Sequence, residues 1–492
     1  MKKIIALLMA ILMLLPLVVS CSKKDGEDMG DTISTEEGNG MQMSDKLRGV
    51  SFDGEDINIW QTTTATNGAE YFYDMNGSVE DGDFISLKLY ERNATVKDYL
   101  NVNLNFVDTG SESTNAATDI RPLLQAESGE FEAYQLVQWN GMPLVMEGWF
   151  KSLDDNKYLD FEGAWWSREF MDAAKLNGHD YVMAGDVGID MVSNTGAMFV
   201  NKNLLAENYG EDAYENLRTM VLEGKWTIDE AAKLSKDMYR DLNNDSTVDI
   251  EDRFGLLCSD AHVVGWYFGA GGTIIQRDSS GKAVLTMGDE RSVNVMGRLY
   301  NLMHLDGASD YGNNAGTTQL YNSKHSPILV QKFADGEMLF SIGYFYTARN
   351  FTNMTDGFAP LPYPKYDVEQ QEYYSYIHNI VTLYAIPHTN SAKYDQTGAA
   401  FELMASLGNQ ILRPFYYESV LKLRYIDDEG DTELVDLIYD SRMTDIGVIF
   451  DTTAYMIPRY MIMEKRNNLQ WYLTKEKNTI NKELKAINNV NS

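Results

Sequence analysis

The sequence predicts an α/β protein built from mainly parallel sheets flanked by helices, and three observations predict it. Within residues 57–138 short alternating strands and amphipathic helices follow one another as strand, helix, strand, helix, strand. That order closes a parallel sheet with helices on both faces. A second region of the same kind opens at Met198–Phe199–Val200. The chain is also long and apolar enough, at 492 residues and 44% hydrophobic, to bury more than one sizeable core.

In the first region, Ile57 and Ile59 flank Asn58 and lead into Trp60, a strand followed by the polar loop QTTTATNGAE. Ile85, Leu89, Val96 and Leu100 share one face of a helix over Phe84 to Leu100. Val102, Leu104 and Phe106 alternate with polar residues as a second strand. A helix over Ile120 to Ala126 and a strand over Tyr134 to Gln138 follow, the strand ending at a Trp139–Asn140–Gly141 turn. Ligands of open parallel sheets gather at the carboxyl ends of strands. The loop carrying Glu70 and the Trp139–Asn140 turn are therefore natural binding positions.

In the second region, the strand at Met198 opens into Asn201–Lys202. Thr227 and Glu230 form a capping box, and Ile228, Ala231, Leu234, Met238 and Leu242 continue the helix it starts. Phe254 to Leu257 reads as a strand, and Gly336 as the cap that ends a helix at Phe333–Ala334. Met338 to Ile342 then forms a strand opening into Gly343–Tyr344–Phe345–Tyr346. From Asn468 onward, Leu469, Leu473, Ile480, Leu484 and Ile487 describe one long amphipathic C-terminal helix.

Charge excludes whole classes of function. Acidic residues outnumber basic ones 73 to 41, for a formal charge of −32, so no phosphate-tracking surface and no nucleic-acid partner is expected. Two cysteines exclude a disulfide scaffold, and six scattered histidines exclude most metallohydrolase sites.

Residues 1–20 read as a signal peptide: Lys2 and Lys3 precede an uncharged run from Ile4 to Ser20, short for a spanning helix. The run ends in Leu17–Val18–Val19–Ser20–Cys21, which resembles the lipobox of bacterial lipoproteins. The resemblance implies that Cys21 is acylated, carries palmitate, and anchors the chain at the outer face of the cell membrane. Residues 21–46 follow as a flexible acidic tether of Gly, Ser, Asp and Glu, with almost nothing to bury.

Asp241, Asn243, Asp245, Asp249 and Asp252 occupy positions 1, 3, 5, 9 and 12 of a calcium loop, with the Thr247 carbonyl at position 7. Calcium takes six to eight hard oxygens, and alternating residues of a tight loop can turn several inward. Val248 supplies the apolar anchor. Ser246 stands where the turn prefers glycine, and Asp252 where a longer, bidentate Glu is usual. A solvated Asp/Asn turn is the alternative. The expected role of Ca²⁺ is structural, because the loop joins a helix to a strand.

Several stretches together resemble one family. LYERNATVKDYLNVNLNF, GAWWSREFMDAAKLNGHDYVMAGDV, NTGAMFVNKNLL, GKWTIDEAAKL, DLNNDSTVDIEDRFGL, FADGEMLF and APLPYPKYDVEQQEYYSYI occur in order over more than 300 residues. In this the chain is similar to the extracellular solute-binding proteins of carbohydrate ABC importers, the maltodextrin-binding-like group of family 1. The resemblance implies a two-lobed periplasmic-binding-protein-like fold of type II, its lobes joined by crossover hinge segments. It divides the body into a first lobe of 47–187 plus 375–411 and a second of 188–374 plus 412–492. It further implies a carbohydrate ligand, an oligosaccharide, held between the lobes of a monomer, and ABC permease subunits that accept the closed form.

Sugars pack C–H faces on aromatic rings and need carboxylates and amides for their hydroxyls. The chain has 30 Tyr, 8 Trp and 19 Phe. At strand ends and lobe-facing loops the candidates are Trp139, Asn140, Trp266, Tyr267, Tyr344 and Tyr346, with Glu70 and Asp260 as polar partners. Tyr344 stands where the family likeness puts a stacking aromatic, and ordinary core packing is the rival for every ring. Trp165 and Trp166 read as packing residues, and Asp367 to Glu372 as a solvated crossover loop.

No HExxH helix, GxSxG elbow, phosphate loop or GxGxxG fingerprint is present, so a catalytic role is not expected. A peptide- or other small-solute-binding lipoprotein remains an alternative. So does a cell-surface glycoside hydrolase, since that chemistry needs only two carboxylates.

Overall fold

The computed structural model describes residues 42–63, 75–80, 83–236, 238–247, 250–304, 326–426 and 429–489. Its strands, in chain order, are β1 (Glu55–Gln61), β2 (Val102–Asp108), β3 (Ala133–Val137), β4 (Gly196–Asn201), β5 (Phe254–Leu256) and β6 (Ile275–Arg277). They continue with β7 (Ala283–Leu285), β8 (Met338–Tyr344), β9 (Phe358–Leu361), β10 (Ser375–Tyr376), β11 (Thr382–Ala385) and β12 (Arg442–Met443). Among the described residues no helix is long and apolar enough to cross a membrane.

The first sheet has the order β11-β3-β1-β2. β1 runs parallel to β2 and to β3, and β11 joins antiparallel to β3. β2 buries Val102, Leu104 and Phe106 and exposes Asn103 and Asn105, the alternation of an edge strand, whereas every residue of β3 is buried. The intervening helix runs from Phe84 to Leu100 and buries Ile85, Leu89, Val96 and Leu100. Asp83 caps its start by accepting from the Ile85 N–H, and Asn101 ends it at φ 49°. β1 leads to β2 on one side and β3 lies on the other, so the order reverses at β1, the kind of position at which open α/β sheets bind ligands.

The second sheet has the order β5-β8-β4-β9 and is mixed. β5 and β8 are parallel, while β4 is antiparallel to both its neighbours. β4 and β8 are buried along their whole length. Because Gly196 pairs with Tyr344, the start of β4 and the carboxyl end of β8 lie together. A Cβ at Gly196 would come within 3.0–3.2 Å of the Tyr363 and Tyr376 rings, so this position admits little beyond glycine. The chain passes between the two sheets along residues 186–195, which enter β4, and again from β9 to β11.

Three local expectations are corrected. Trp139–Asn140–Gly141 is the first turn of a helix, Gln138–Met146, because the apolar run continues through Met142, Leu144 and Val145. The helix begun at Ile228 stops at Lys236, and Leu242, expected on its buried face, is 45% exposed. The C-terminal stretch is two helices, Leu469–Lys475 and Lys477–Asn489, the first capped by the Asn468 side chain on the Trp471 N–H.

Candidate ligand-binding site

The carboxyl end of β8 delivers Tyr344 to the place where both crossing segments meet the second sheet. Its backbone N–H donates to Thr347 Oγ1 at 3.0 Å, which turns the chain into the short helix Phe345–Phe351. That turn stacks the Tyr346 ring on Tyr344, centroids 5.5 Å apart and 20° between planes. His378, in the segment after β10, lies 4.6 Å from the Tyr344 ring, and His262 lies 5.6 Å away. The Tyr344 and Tyr376 hydroxyls share a hydrogen bond of 2.9 Å. Burial holds both tyrosine hydroxyls well above the usual phenol range.

Beside these rings, Arg459 Nη2 donates to Asp260 Oδ2 at 2.5 Å, a charge pair with side chains only 20% and 6% exposed. Asp260 follows β5, and Arg459 comes from the helix Thr453–Met463. Asp260 Oδ1, Arg459 Nε and His378 Nδ1 are buried without a hydrogen-bond partner among the described residues. Such atoms cost about 1–3 kcal/mol each unless water or a ligand completes them. Burial lowers His262 to about 4 and His378 to about 3, helped by the nearby Arg459 charge, so both imidazoles are neutral near pH 7. A neutral imidazole offers one donor and one acceptor, as a hydroxyl does. Asp451, raised to about 6 by burial, accepts from Asn379 Nδ2 at 3.1 Å on the same side.

The eight expected ligand residues fall in different places. Tyr344, Tyr346 and Asp260 belong to this cluster. Trp139 adjoins it, its N–H donating to the Asn379 carbonyl at 3.0 Å and its ring half-buried. Asn140 is buried and donates to the Ser113 carbonyl at 2.6 Å, leaving its own Oδ1 unpartnered. Trp266 and Tyr267 point elsewhere: both are fully buried in the helix Val263–Gly269. Trp266 packs on Tyr363, and Tyr267 is tied to the Thr273 carbonyl and Ser292 Oγ, so neither presents a ring to a ligand in this conformation. Glu70 lies outside the described residues. Sequence reasoning missed His262, His378, Tyr376, Asn379 and Arg459. The scarcity of histidine was a usable signal, since two of only six meet at Tyr344.

In the acidic loop, Asp241 accepts from the Asn244 and Ser246 N–H groups at 2.7 and 3.0 Å, and Asp245 from the Thr247 N–H at 2.7 Å. Ser246 takes φ 59°, the left-handed value that glycine usually supplies at that position. Asp252 is buried and accepts from the Leu242 N–H and the Tyr239 hydroxyl. Asp249 and Val248 lie outside the described residues. Among the described residues no three His, Cys, Asp or Glu side chains converge as a metal cluster.

Away from these sites, Glu402 is fully buried and accepts from the Trp165 and Trp166 indole N–H groups and the Asp160 N–H, with no ion pair among the described residues. Burial pushes it up to about 7, and pushes Asp180, Asp186, Asp190, Asp445 and Asp451 up to about 6. A carboxyl raised by folding gives stability that is complete below its unfolded value and lost as pH rises through the folded one. The two lowered histidines act the other way below pH 6.5, as do the exposed, lowered Glu147, Asp154 and Asp278. The raised, buried group is the larger, so the urea midpoint should fall between about pH 5 and pH 7. A midpoint that climbs across that window would refute this balance.

No family model matches the chain, and no curated protein matches it. Solved structures do. The maltose-bound T. maritima MalE3 covers 88% of this chain and 99% of its own, with TM-score 0.52 and 14% identity. The fold is that of the two-lobed ABC solute-binding proteins. An ABC substrate-binding protein from Listeria monocytogenes in complex with cycloalternan gives the same TM-score of 0.52 at 13% identity, covering 88% of this chain and 99% of that one. UgpB from Mycobacterium tuberculosis, in complex with glycerophosphocholine, gives 0.54 at 12% identity, covering 88% and 98%. In the two-lobed solute-binding fold the Tyr344 cluster sits where strands of the second sheet end against the crossing segments.

Proposed function

We propose that this chain is an extracytoplasmic receptor that binds a carbohydrate, an oligosaccharide, and delivers it to an ABC importer, as a member of the family 1 solute-binding lipoproteins. The observation that carries this reading is the Tyr344–Tyr346 stack beside buried, unsatisfied Asp260, Arg459 and His378 atoms. Rings can take the C–H faces of a sugar, and the charge pair and neutral imidazoles can take its hydroxyls. The mechanism is a population shift: an open form admits ligand between lobes of 47–187 plus 375–411 and 188–374 plus 412–492, and bridging contacts favour closure. No covalent step is involved. Fold-level likeness to binding proteins supports that view.

The same reading places the protein at the outer face of the membrane through acylated Cys21, as a monomer working with permease subunits. Changing Cys21 to Ala should move the protein from the membrane to the soluble fraction; unchanged fractionation would sink the anchor. It also gives the loop of Asp241, Asn243, Asp245, Thr247, Asp249 and Asp252 a structural Ca²⁺, supported by the left-handed Ser246. EDTA should then lower the melting temperature and added calcium restore it, with Asp241→Ala abolishing the difference. A melt indifferent to both would remove the ion.

The deciding experiment is a thermal-shift panel of mono- and oligosaccharides, peptides and amino acids at fixed calcium. A ligand at a hundredfold excess over its Kd stabilises the native state by about 2.7 kcal/mol. A shift with one glycan class, recovered intact, supports the receptor. A response to peptides alone overturns the carbohydrate assignment, and a glycan that is consumed overturns the non-enzymatic one.

A further inference from the structure

The C-terminal helices bury one face and leave the other to solvent. In the helix Lys477–Asn489, Ile480 and Ile487 are buried and Leu484 is half-buried, packed toward β7 and the helix Thr453–Met463. At about 3.6 residues per turn, Lys482 and Lys485 fall opposite that stripe. Both are exposed, as is Lys477 at the helix start, and none of the three makes an ion pair among the described residues.

Just before it, the helix Leu469–Lys475 turns Trp471 outward. Of the eight tryptophans it is the most exposed, at 37%. The Arg466 guanidinium lies 4.2 Å from the centre of its ring and Lys475 Nζ 5.3 Å, a cation–π arrangement on a ring that still meets solvent. Met463, 46% exposed, stands three residues before Arg466.

The acids of this region are engaged. Glu464 accepts from the Tyr472 hydroxyl at 2.7 Å, Glu476 lies 3.3 Å from Lys475, and Glu483 accepts from the Thr453 N–H and hydroxyl. Residues 464–489 therefore set six basic residues, Lys465, Arg466, Lys475, Lys477, Lys482 and Lys485, against these three acids. At the border, Asp289 and Glu290 are exposed just past Gly288, whose carbonyl accepts from Gln470. Lys282 is exposed beside Ala283, which exchanges hydrogen bonds with Asn488. With the border counted, seven basic residues still face five acidic ones, in a chain of net charge −32. Charge acts over only about 8 Å at physiological ionic strength, so a partner at this surface meets the local surplus and not the whole chain's deficit.

We propose that this surface docks on an anionic phospholipid membrane, its lysines on headgroup phosphates and the Trp471 ring in the headgroup layer. A lipid surface takes both features at once: the cations by charge, and the indole because its apolar ring and polar N–H suit the boundary between headgroups and acyl chains. Acylated Cys21 would hold the chain beside such a surface, yet the contact stands independently of that anchor and of the carbohydrate reading.

Residues 42–492 form one compact unit with their own core and lack both the signal run and Cys21, so this piece isolates the contact. The test is co-sedimentation with vesicles of phosphatidylcholine alone and of phosphatidylcholine mixed equally with phosphatidylglycerol. The protein should sediment with the second and not the first, and should be released as NaCl is raised from about 0.05 to 0.5 M. Each basic residue near an anionic surface is worth about a fivefold change in partitioning, so Lys482→Glu with Lys485→Glu should weaken binding about twentyfold or more. Lys225→Glu with Lys233→Glu makes the same change in net charge at exposed lysines outside the surface, each facing a glutamate, and should leave binding within about twofold. Should the first double variant melt early, Trp471→Ala gives an independent reading and should weaken binding several-fold. Absence of sedimentation with the anionic vesicles, equal sedimentation with phosphatidylcholine, undiminished binding by a folded Lys482/Lys485 or Trp471 variant, or an equal loss in the Lys225/Lys233 variant would each overturn the assignment. Capture by polyglutamate with no binding to vesicles would make the partner an acidic protein and overturn it too.

Discussion

Replacing Asp260 with alanine is expected to lower the unfolding free energy by about 3–5 kcal/mol, because it strands a buried guanidinium. Among the described residues Arg459 gives Nη2 to Asp260, its Nε has no hydrogen-bond partner, and its Nη1 lies 3.6 Å from Met456 Sδ. The Asp451 charge lies close enough to be felt, which places the expected loss toward the lower end of that range. Removing both partners as Asp260→Ala with Arg459→Met should cost less than the sum of the single changes, since no buried charge is left uncompensated. Urea unfolding of the four proteins measures the coupling. A single variant within about 0.5 kcal/mol of the parent would mean the pair carries no structural weight. The same Asp260 variant loses the free Oδ1, so sugar affinity should fall along with stability.

What was legible in the sequence was what local pattern determines. The helix over Phe84–Leu100 follows from four apolar residues on one face and from caps at Asp83 and Asn101, all within one stretch of chain. β2 follows from strict alternation, and Gly336 at φ 77° caps its helix as its position suggests. The fold class followed from the order of such elements. What pattern could not supply were pairings made across the chain. β11 joins β3 with Tyr384 opposite Gln135, a partnership no local period announces. Nor does a period reveal that β4 runs antiparallel to both neighbours.

The candidate site divides along the same line. Tyr344 and Asp260 were expected because Tyr344 ends the strand β8 and Asp260 follows the strand β5, each visible in the sequence as a short apolar run. Their partners arrive from other elements: His378 from the segment after β10, and Arg459 from a helix with no local sign of a buried charge. Trp266 and Tyr267 misled for a physical reason. Their helix is buried on every side, Val263 through Gly269, so its aromatics have only core to face. Arg92 shows the converse. It lies on the apolar face of its helix and is fully buried, donating to the Val187 carbonyl, where the pattern alone would demand a hydrophobe.

Changing Tyr344 to alanine should separate packing from recognition when it is set beside the phenylalanine variant. The ring is 4% exposed and contacts Tyr346, His378, His262 and Tyr376, so alanine should cost about 3–5 kcal/mol of stability through lost burial and the cavity left behind. Phenylalanine keeps those ring contacts and loses the hydroxyl pair, which strands the buried Tyr376 hydroxyl at about 1–3 kcal/mol. If Tyr344 stacks on a sugar, alanine should also weaken binding of the glycan found in the panel by about 1.5–3 kcal/mol, while phenylalanine stays near the parent. Urea midpoints give the first pair of numbers and calorimetry the second. Alanine that still folds and binds with parental affinity would leave Tyr344 a core residue, and the stacking role would pass to Tyr346 or Trp139, whose rings are only half-buried. Phenylalanine that loses affinity as alanine does would shift recognition to the hydroxyl, because the two variants differ in the ring and share only that loss.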